Sequence, residues 1–331
     1  MDSLKNKTMK AAVISGSDAK LQYTDFPEPA INNESEILIT MKAAAIKNFD
    51  KGRAQGKHYS SGDNIKQAKI IGSDGVGLQP DGTRVYVIGF NGTAAEKVVV
   101  EKNMIVPVPT NLDDVTAAAL PNAVFGSAMA LRFKAGMKEG ETVLINGATG
   151  FTGKIAVQIA KHYGAGRIIV TGRNEQSLKE LLTLGADEII QVQQNDEDFI
   201  NQVKSIHSNT PIDIVLDYLW GHTAGLILAA FKGRGMFTHQ TRFISIGSMA
   251  GDTIQLSAEN LRSVDLQLSG SGVGSWTKSD IQQAFQVILP EMFKLAAGKE
   301  LKVETINISL SEIEKAWDMN IPGGKRLVVL I

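Results

Sequence analysis

Between residues 141 and 270 the chain alternates short apolar runs with helix-like segments, and this alternation limits the fold more than any other feature. The runs "TVLIN" (142–146), "RIIVTG" (167–172), "EIIQV" (188–192), "DIVLDY" (213–218), "RFISIG" (242–247) and "DLQLSG" (265–270) have the length and β-branched composition of strands. Helical patterns lie between them at 153–163, 175–184, 196–207 and 222–231. Short apolar strands joined through helices are covered on both faces, which predicts a parallel, doubly wound sheet in an α/β protein.

The first strand–helix connection adds a chemical constraint. "NGATGFTG" (146–153) puts Gly147, Gly150 and Gly153 into one turn between "ETVLI" and "KIAVQIAKHYGA". Such a turn is a phosphate cradle. Gly147 permits the sharp bend, Gly150 lets the backbone approach a pyrophosphate, and Gly153 lets the helix lie close to the strand. With Thr149, Phe151 and Thr152, the helix start offers N–H donors and about half a positive charge. The spacing is G-x-x-G-x-x-G rather than G-x-G-x-x-G, so the reading rests on the strand before and the helix after. A tight turn without a ligand is the alternative.

The next strand ends in Gly172-Arg173-Asn174. A sheet that binds NAD carries an acid near this point for the ribose 2′-hydroxyl. None stands here, and a guanidinium suits a 2′-phosphate as a paired donor. The expected cofactor is therefore NADPH. Arg173 by itself would read as a solvated surface arginine; the glycine turn upstream gives it meaning. The ends of later strands should line the same crevice, marking Tyr218 on the adenosine side and Ile246, Gly247, Ser248, Ser271 and Gly272 on the nicotinamide side. Asp217 either joins them or caps the following helix.

The flanking segments differ in texture. Residues 9–110 are β-rich and broken by turn signals such as "DG" (81–82) and "NG" (91–92). Residues 113–135 read as two helices parted near Pro121. A helix, a strand in "KVETINI", a short helix in "SEIEKAW" and a strand in "RLVVLI" close the chain. The net charge of −1 gives no basic field for nucleic acid. No apolar run approaches the ~20 residues of a membrane span, so no membrane partner is expected. The first ten residues lack the apolar core of a secretory signal, and the expected location is cytoplasmic. The sequence has no cysteine, which removes thiolate nucleophiles, iron–sulfur clusters and thiolate-bound zinc. Its five histidines fall at no metal-ligand spacing, and no metal is expected.

Taken with "AAALPNAVFGSAMAL" and the glycine turn, three further stretches resemble the medium-chain dehydrogenase/reductases: "EILITMKAAAIKNFDKGRAQG", "KIIGSDGVG" and the closing "PGGKRLVVLI". The resemblance implies a chaperonin-10-like β-rich domain (1–123 with 293–331) and a Rossmann NADP(H)-binding domain (124–292), the active site between them, and a homodimer formed edge to edge at 265–274. Gly72-Ser73-Asp74 stands where the zinc enzymes of that superfamily have Gly-His-Glu, which implies the zinc-free branch of quinone and enone or enoyl reductases. Two positions depart from the pattern: Lys47 replaces the usual asparagine, with Asn48 adjacent, and "GATGFTG" replaces the commoner "GGVG".

Without zinc as a Lewis acid, the accessible chemistry is hydride addition to an activated small-molecule acceptor, a quinone or an α,β-unsaturated carbonyl. The segment "IKNFDKGRAQGKHYSS" (46–61), read as a loop, supplies the candidates. Tyr59 could donate to an oxyanion or protonate an enolate, Asn48 could hold the acceptor, and Phe49 and His58 could face it. Taken alone, each reads as a solvated or local-structure residue before a catalyst, and quinone reduction needs no dedicated acid. Two other readings stand beside this one. An enoyl-thioester reductase would want a basic cleft mouth, and an NADPH-binding redox sensor would bind cofactor without turnover.

Overall fold

A computed structural model of the chain describes residues 7–15, 20–56, 67–89, 91–233 and 237–331. The chain divides into two compact units, Met1–Pro121 with Phe285–Ile331, and Asn122–Ala284.

The N-terminal segment carries β1 (Thr8–Ser15), β2 (Lys20–Pro27), β3 (Glu36–Ile46), α1 (Asn48–Ala54), β4 (Lys69–Ile70), β5 (Asp74–Leu78), β6 (Arg84–Ile88), β7 (Lys97–Glu101), β8 (Ile105–Pro107) and α2 (Asp114–Ala119). The middle segment carries α3 (Pro121–Met129), β9 (Thr142–Asn146), α4 (Phe151–His162), β10 (Arg167–Gly172), α5 (Glu175–Leu184), β11 (Glu188–Gln191), α6 (Asp196–Asn209), β12 (Ile214–Asp217), α7 (Gly221–Ala230), β13 (Thr241–Ser245), α8 (Ala258–Arg262), β14 (Leu266–Gly270) and α9 (Lys278–Gln283). The chain ends with α10 (Leu289–Ala297), β15 (Thr305–Ser309), α11 (Ile313–Trp317) and β16 (Arg326–Leu330).

In the first unit β3 is the organising strand. It is antiparallel to β5 on one side; along its length it meets β7 over 36–40 and β16 over 43–46. The sheet runs β15-β16-β3-β5-β6-β8, and β1 joins β2 and β4 in a smaller one. Ile39, Met41, Val85, Val87, Val98 and Val100 form one apolar core there, alternating along their strands as a half-buried sheet requires.

The second unit is the doubly wound sheet that the alternation predicts. Its six strands are all parallel, in the order β11-β10-β9-β12-β13-β14. Every residue of β9 is buried, as in a central strand covered on both faces. The order reverses beside β9: the chain leaves it toward β10 and later returns to its other side as β12. The crevice at such a switch point is where open α/β sheets bind ligands. Leu144, Ile169, Val215 and Phe243 meet Phe199, Val203 and Ile227 in the core. Asn174, Asn195, Ser257 and Thr277 cap α5, α6, α8 and α9 through side-chain oxygens.

One stretch differs from its sequence reading. Part of the segment read as a loop is α1, whose first turn is fixed by the Asp50 carboxylate accepting the Lys47 N–H at 2.9 Å. The "SDGVG" of the family-like stretch holds β5, buried between β3 and β6. The break at Pro121 is as expected: α2 stops at Ala119 and Pro121 opens α3, where its missing N–H is harmless.

Candidate functional site

The turn after β9 is built around its glycines. Gly147 has φ +86°, and a Cβ there would lie 2.8 Å from Leu219 Cγ. Gly153 presses on the turn itself, with Ala148 Cα 2.5 Å from where a Cβ would stand. Gly150 is different. It adopts ordinary extended geometry, and a Cβ there would meet only Gly147 O, at 3.7 Å, so the backbone faces open space. The first bonded amide of α4 is Lys154 N–H, to Gly150 O at 2.9 Å, so the donors of the first turn precede the helical ladder. That turn has no acidic residue to oppose an anion.

The other sequence-predicted cofactor residues lie at the same carboxyl edge of the sheet. Gly172 ends β10 under Thr149, whose Cγ2 would be 2.5 Å from an added Cβ. Arg173 follows with its side chain exposed. Asn174 Oδ1 accepts the Ser177 N–H at 2.8 Å, so its carbonyl is engaged as the cap of α5. Tyr218 is buried; its hydroxyl donates to Gly126 O at 3.1 Å and lies 2.9 Å from Ser127 Oγ, and burial raises its pKa. Ile246 and Gly247 donate their N–H groups to Asp217 O, and Ser248 follows. Ser271 Oγ accepts the Trp276 indole N–H at 3.1 Å, and Gly272 N–H donates to Ser275 Oγ at 3.0 Å.

Beneath this edge lies a polar network that motif reasoning did not find. Thr171 Oγ1 donates to Asn146 Oδ1 at 2.6 Å and accepts the Gly147 N–H at 3.1 Å. Asn146 Nδ2 donates to Asp217 Oδ1 at 2.7 Å, and Asp217 also accepts the N–H groups of Leu219 and Trp220. Asp217 thus holds the loop amides ahead of α7 rather than capping that helix, whose N-cap position is Trp220. Burial raises its pKa, while its three donors oppose the rise. The only sequence signal was a polar residue at the end of three separate apolar strands.

The first unit holds a second concentration of buried polar groups. Lys47, at the start of α1, is 2% exposed and ion-paired with Asp74 of β5; Asp50 Oδ2 is 3.4 Å from its Nζ. Tyr86 donates its hydroxyl to the second Asp74 oxygen at 3.0 Å. Arg326 of β16 adds a buried positive charge near Asp74 and Asp50. Its own pKa is lowered by burial to about 10. Burial raises the Asp74 pKa, and Lys47 is the main opposing influence. Two cations balance two carboxylates, the condition for burying such groups. Asn48 and Phe49 occupy the first turn of α1, with the Arg53 guanidinium 5.7 Å from the Phe49 ring centroid. His58 and Tyr59 lie outside the described residues. Among the described residues, no group of three or more His, Asp or Glu could hold a metal ion, and no helix is long and apolar enough to cross a membrane.

The chain is similar in sequence and fold to known proteins. Residues 152–289 match the family described as zinc-binding dehydrogenase. The chain is 24% identical to the probable NADPH-dependent quinone reductase tdiC of Emericella nidulans, over 93% of this chain and 96% of that protein. It is 26% identical to the human quinone oxidoreductase, over 76% of each. The crystal structure of the quinone oxidoreductase from Thermus thermophilus superposes with a TM-score of 0.76 at 24% identity, covering 98% of this chain and all of that one. That likeness bears on the fold.

Proposed function

The chain belongs to the medium-chain dehydrogenase/reductase superfamily, on its quinone oxidoreductase-like branch, and is an oxidoreductase; from that premise we propose that it reduces a quinone or an α,β-unsaturated carbonyl with NADPH and without zinc. The observation that carries the proposal is the strand–turn–helix of β9 and α4, open beside Gly150, with Arg173 rather than a carboxylate ending the next strand. In this reading the N–H groups at the start of α4 hold the pyrophosphate and Arg173 pairs with the 2′-phosphate. Ile246, Gly247, Ser248, Ser271 and Gly272, after β13 and β14, flank the nicotinamide. NADPH, when bound, supplies the hydride. The absence of cysteine and the engagement of Asp50 and Asp74 by Lys47 support a zinc-free site.

Titration of the protein with NADPH and NADH tests the cofactor, and NADPH oxidation with 1,2-naphthoquinone and an alkenal tests the acceptor. Tighter NADPH binding and steady oxidation, unchanged by a strong zinc chelator, are expected. Binding without turnover across the acceptor panel would indicate a redox sensor instead.

A further inference from the structure

Three neighbouring strands of the second unit each carry one fully buried polar side chain at their carboxyl end: Asn146 on β9, Asp217 on β12, and Thr171, the last but one residue of β10. Asn146 and Asp217 are register partners, and Thr171 follows Val170, the partner of Ile145. The residues just before them, Ile145, Val170 and Leu216, are apolar and buried. Three polar groups in such a place need a role beyond filling space.

The hydrogen bonds between them have a fixed direction. The Thr171 hydroxyl donates to Asn146 and so accepts from Gly147 N–H; the Asn146 amide donates to Asp217; Asp217 accepts from the N–H groups of Leu219 and Trp220. Donors and acceptors alternate without a gap from the glycine turn to the loop after β12. The two ends also touch, since Leu219 lies where a side chain on Gly147 would be. Trp220 has φ 54° and ψ −154°, an unfavourable backbone for a tryptophan, and both Asp217 oxygens hold its N–H, at 3.1 and 3.2 Å.

We infer that Asn146, Thr171 and Asp217 form a positioning relay that shapes the phosphate turn and couples it to the loop at 218–221. The inference rests on the cofactor reading above. None of the three touches the cofactor. Their effect is to turn Gly147 N–H inward onto Thr171, so that the anion is met by the later amides of the helix start, and to hold Leu219 and Trp220 against the turn.

The test is a set of near-isosteric variants read by NADPH affinity, thermal stability and amide hydrogen exchange of the free protein. Asn146→Asp faces two carboxylates, and Asp217→Asn faces two amides; each is expected to weaken NADPH binding about tenfold, the effect of one buried group left unpaired. The double exchange Asn146→Asp/Asp217→Asn restores the central bond, because the amide now on β12 donates to the carboxylate now on β9 while its oxygen, in the place of Oδ2, accepts from Trp220; only the Leu219 N–H loses its acceptor. It is expected to bind NADPH more tightly than either single variant, a non-additivity that mere packing does not produce. A double variant that is as weak as the summed singles overturns the relay, as do singles that lose thermal stability but not affinity. Thr171→Val guards against misfolding of the charged variants. It should raise amide exchange in both 146–153 and 217–221, and a rise in the first segment alone sinks the coupling. If the parent chain fails to bind NADPH, the cofactor reading fails, and the exchange experiment still decides the relay.

Discussion

In the proposed function, Arg173 decides between two cofactors that differ by one phosphate. Its side chain is exposed, so its loss should not disturb the fold. Arg173→Ala should weaken NADPH binding by about ten- to a hundredfold and leave NADH binding nearly unchanged, because a bidentate, charge-assisted pair exists only with the 2′-phosphate. Equal loss for both cofactors in a titration would remove the argument. A second residue gives a pH prediction. Burial lowers the pKa of His207 from its ordinary 6.5, His239 adds to the lowering, and Asp213 opposes it. The ring also accepts the Ile212 N–H at Nδ1, which requires an unprotonated nitrogen. Below pH 6.5 the unfolded chain binds the proton more readily, so this contribution to stability is complete above 6.5 and is lost as the pH falls further. The melting temperature should therefore drop between pH 7 and pH 5.5, with a shallower slope in His207→Gln.

At the level of elements, the turn between β9 and α4 separates folding from binding. Gly150 has a backbone any residue can adopt and room for a methyl group. Gly150→Ala should melt within about 1 °C of the parent, as expected where a substitution has space and no strain. Its NADPH affinity should nevertheless collapse, since the methyl group occupies the approach to the backbone. A variant that melts normally and still binds would show that the pyrophosphate lies elsewhere. This turn was legible in sequence because it is local: one strand, three glycines and one helix are contiguous. The strands of the second unit were legible for the same reason, each buried on both faces and so apolar throughout. Other elements were not. In α1, no apolar periodicity announces a seven-residue helix whose start depends on Asp50 reaching back to the Lys47 N–H. In β5, two glycines stand where a strand would carry β-branched residues, yet both tuck beneath β3, with Met41 and Ile39 occupying the space their side chains would take. The Lys47–Asp74 pair and the relay of Asn146, Thr171 and Asp217 each join residues 25 or more positions apart, so only the fold brings them together.

At the scale of the molecule, β14 is the outer strand of the six-stranded sheet, and Leu268 and Val273 stand exposed on and after it. An open edge with apolar residues invites a partner strand. We propose that a second copy of the chain supplies it, pairing edge to edge. Leu268→Lys should then convert a dimer to a monomer in sedimentation velocity at micromolar concentration, and a monomeric parent would remove the proposal. The first unit also has a consequence in time. Its central strand β3 is made early, but one of its neighbours, β16, and the charge of Arg326 that balances Asp50 and Asp74 are made only after the whole second unit. During synthesis on the ribosome the interrupted unit must wait with an unsealed seam, while the uninterrupted one can finish as it emerges. Nascent chains stalled just short of residue 326 should thus carry a protease-resistant Rossmann half beside an N-terminal half still open to digestion and to chaperones.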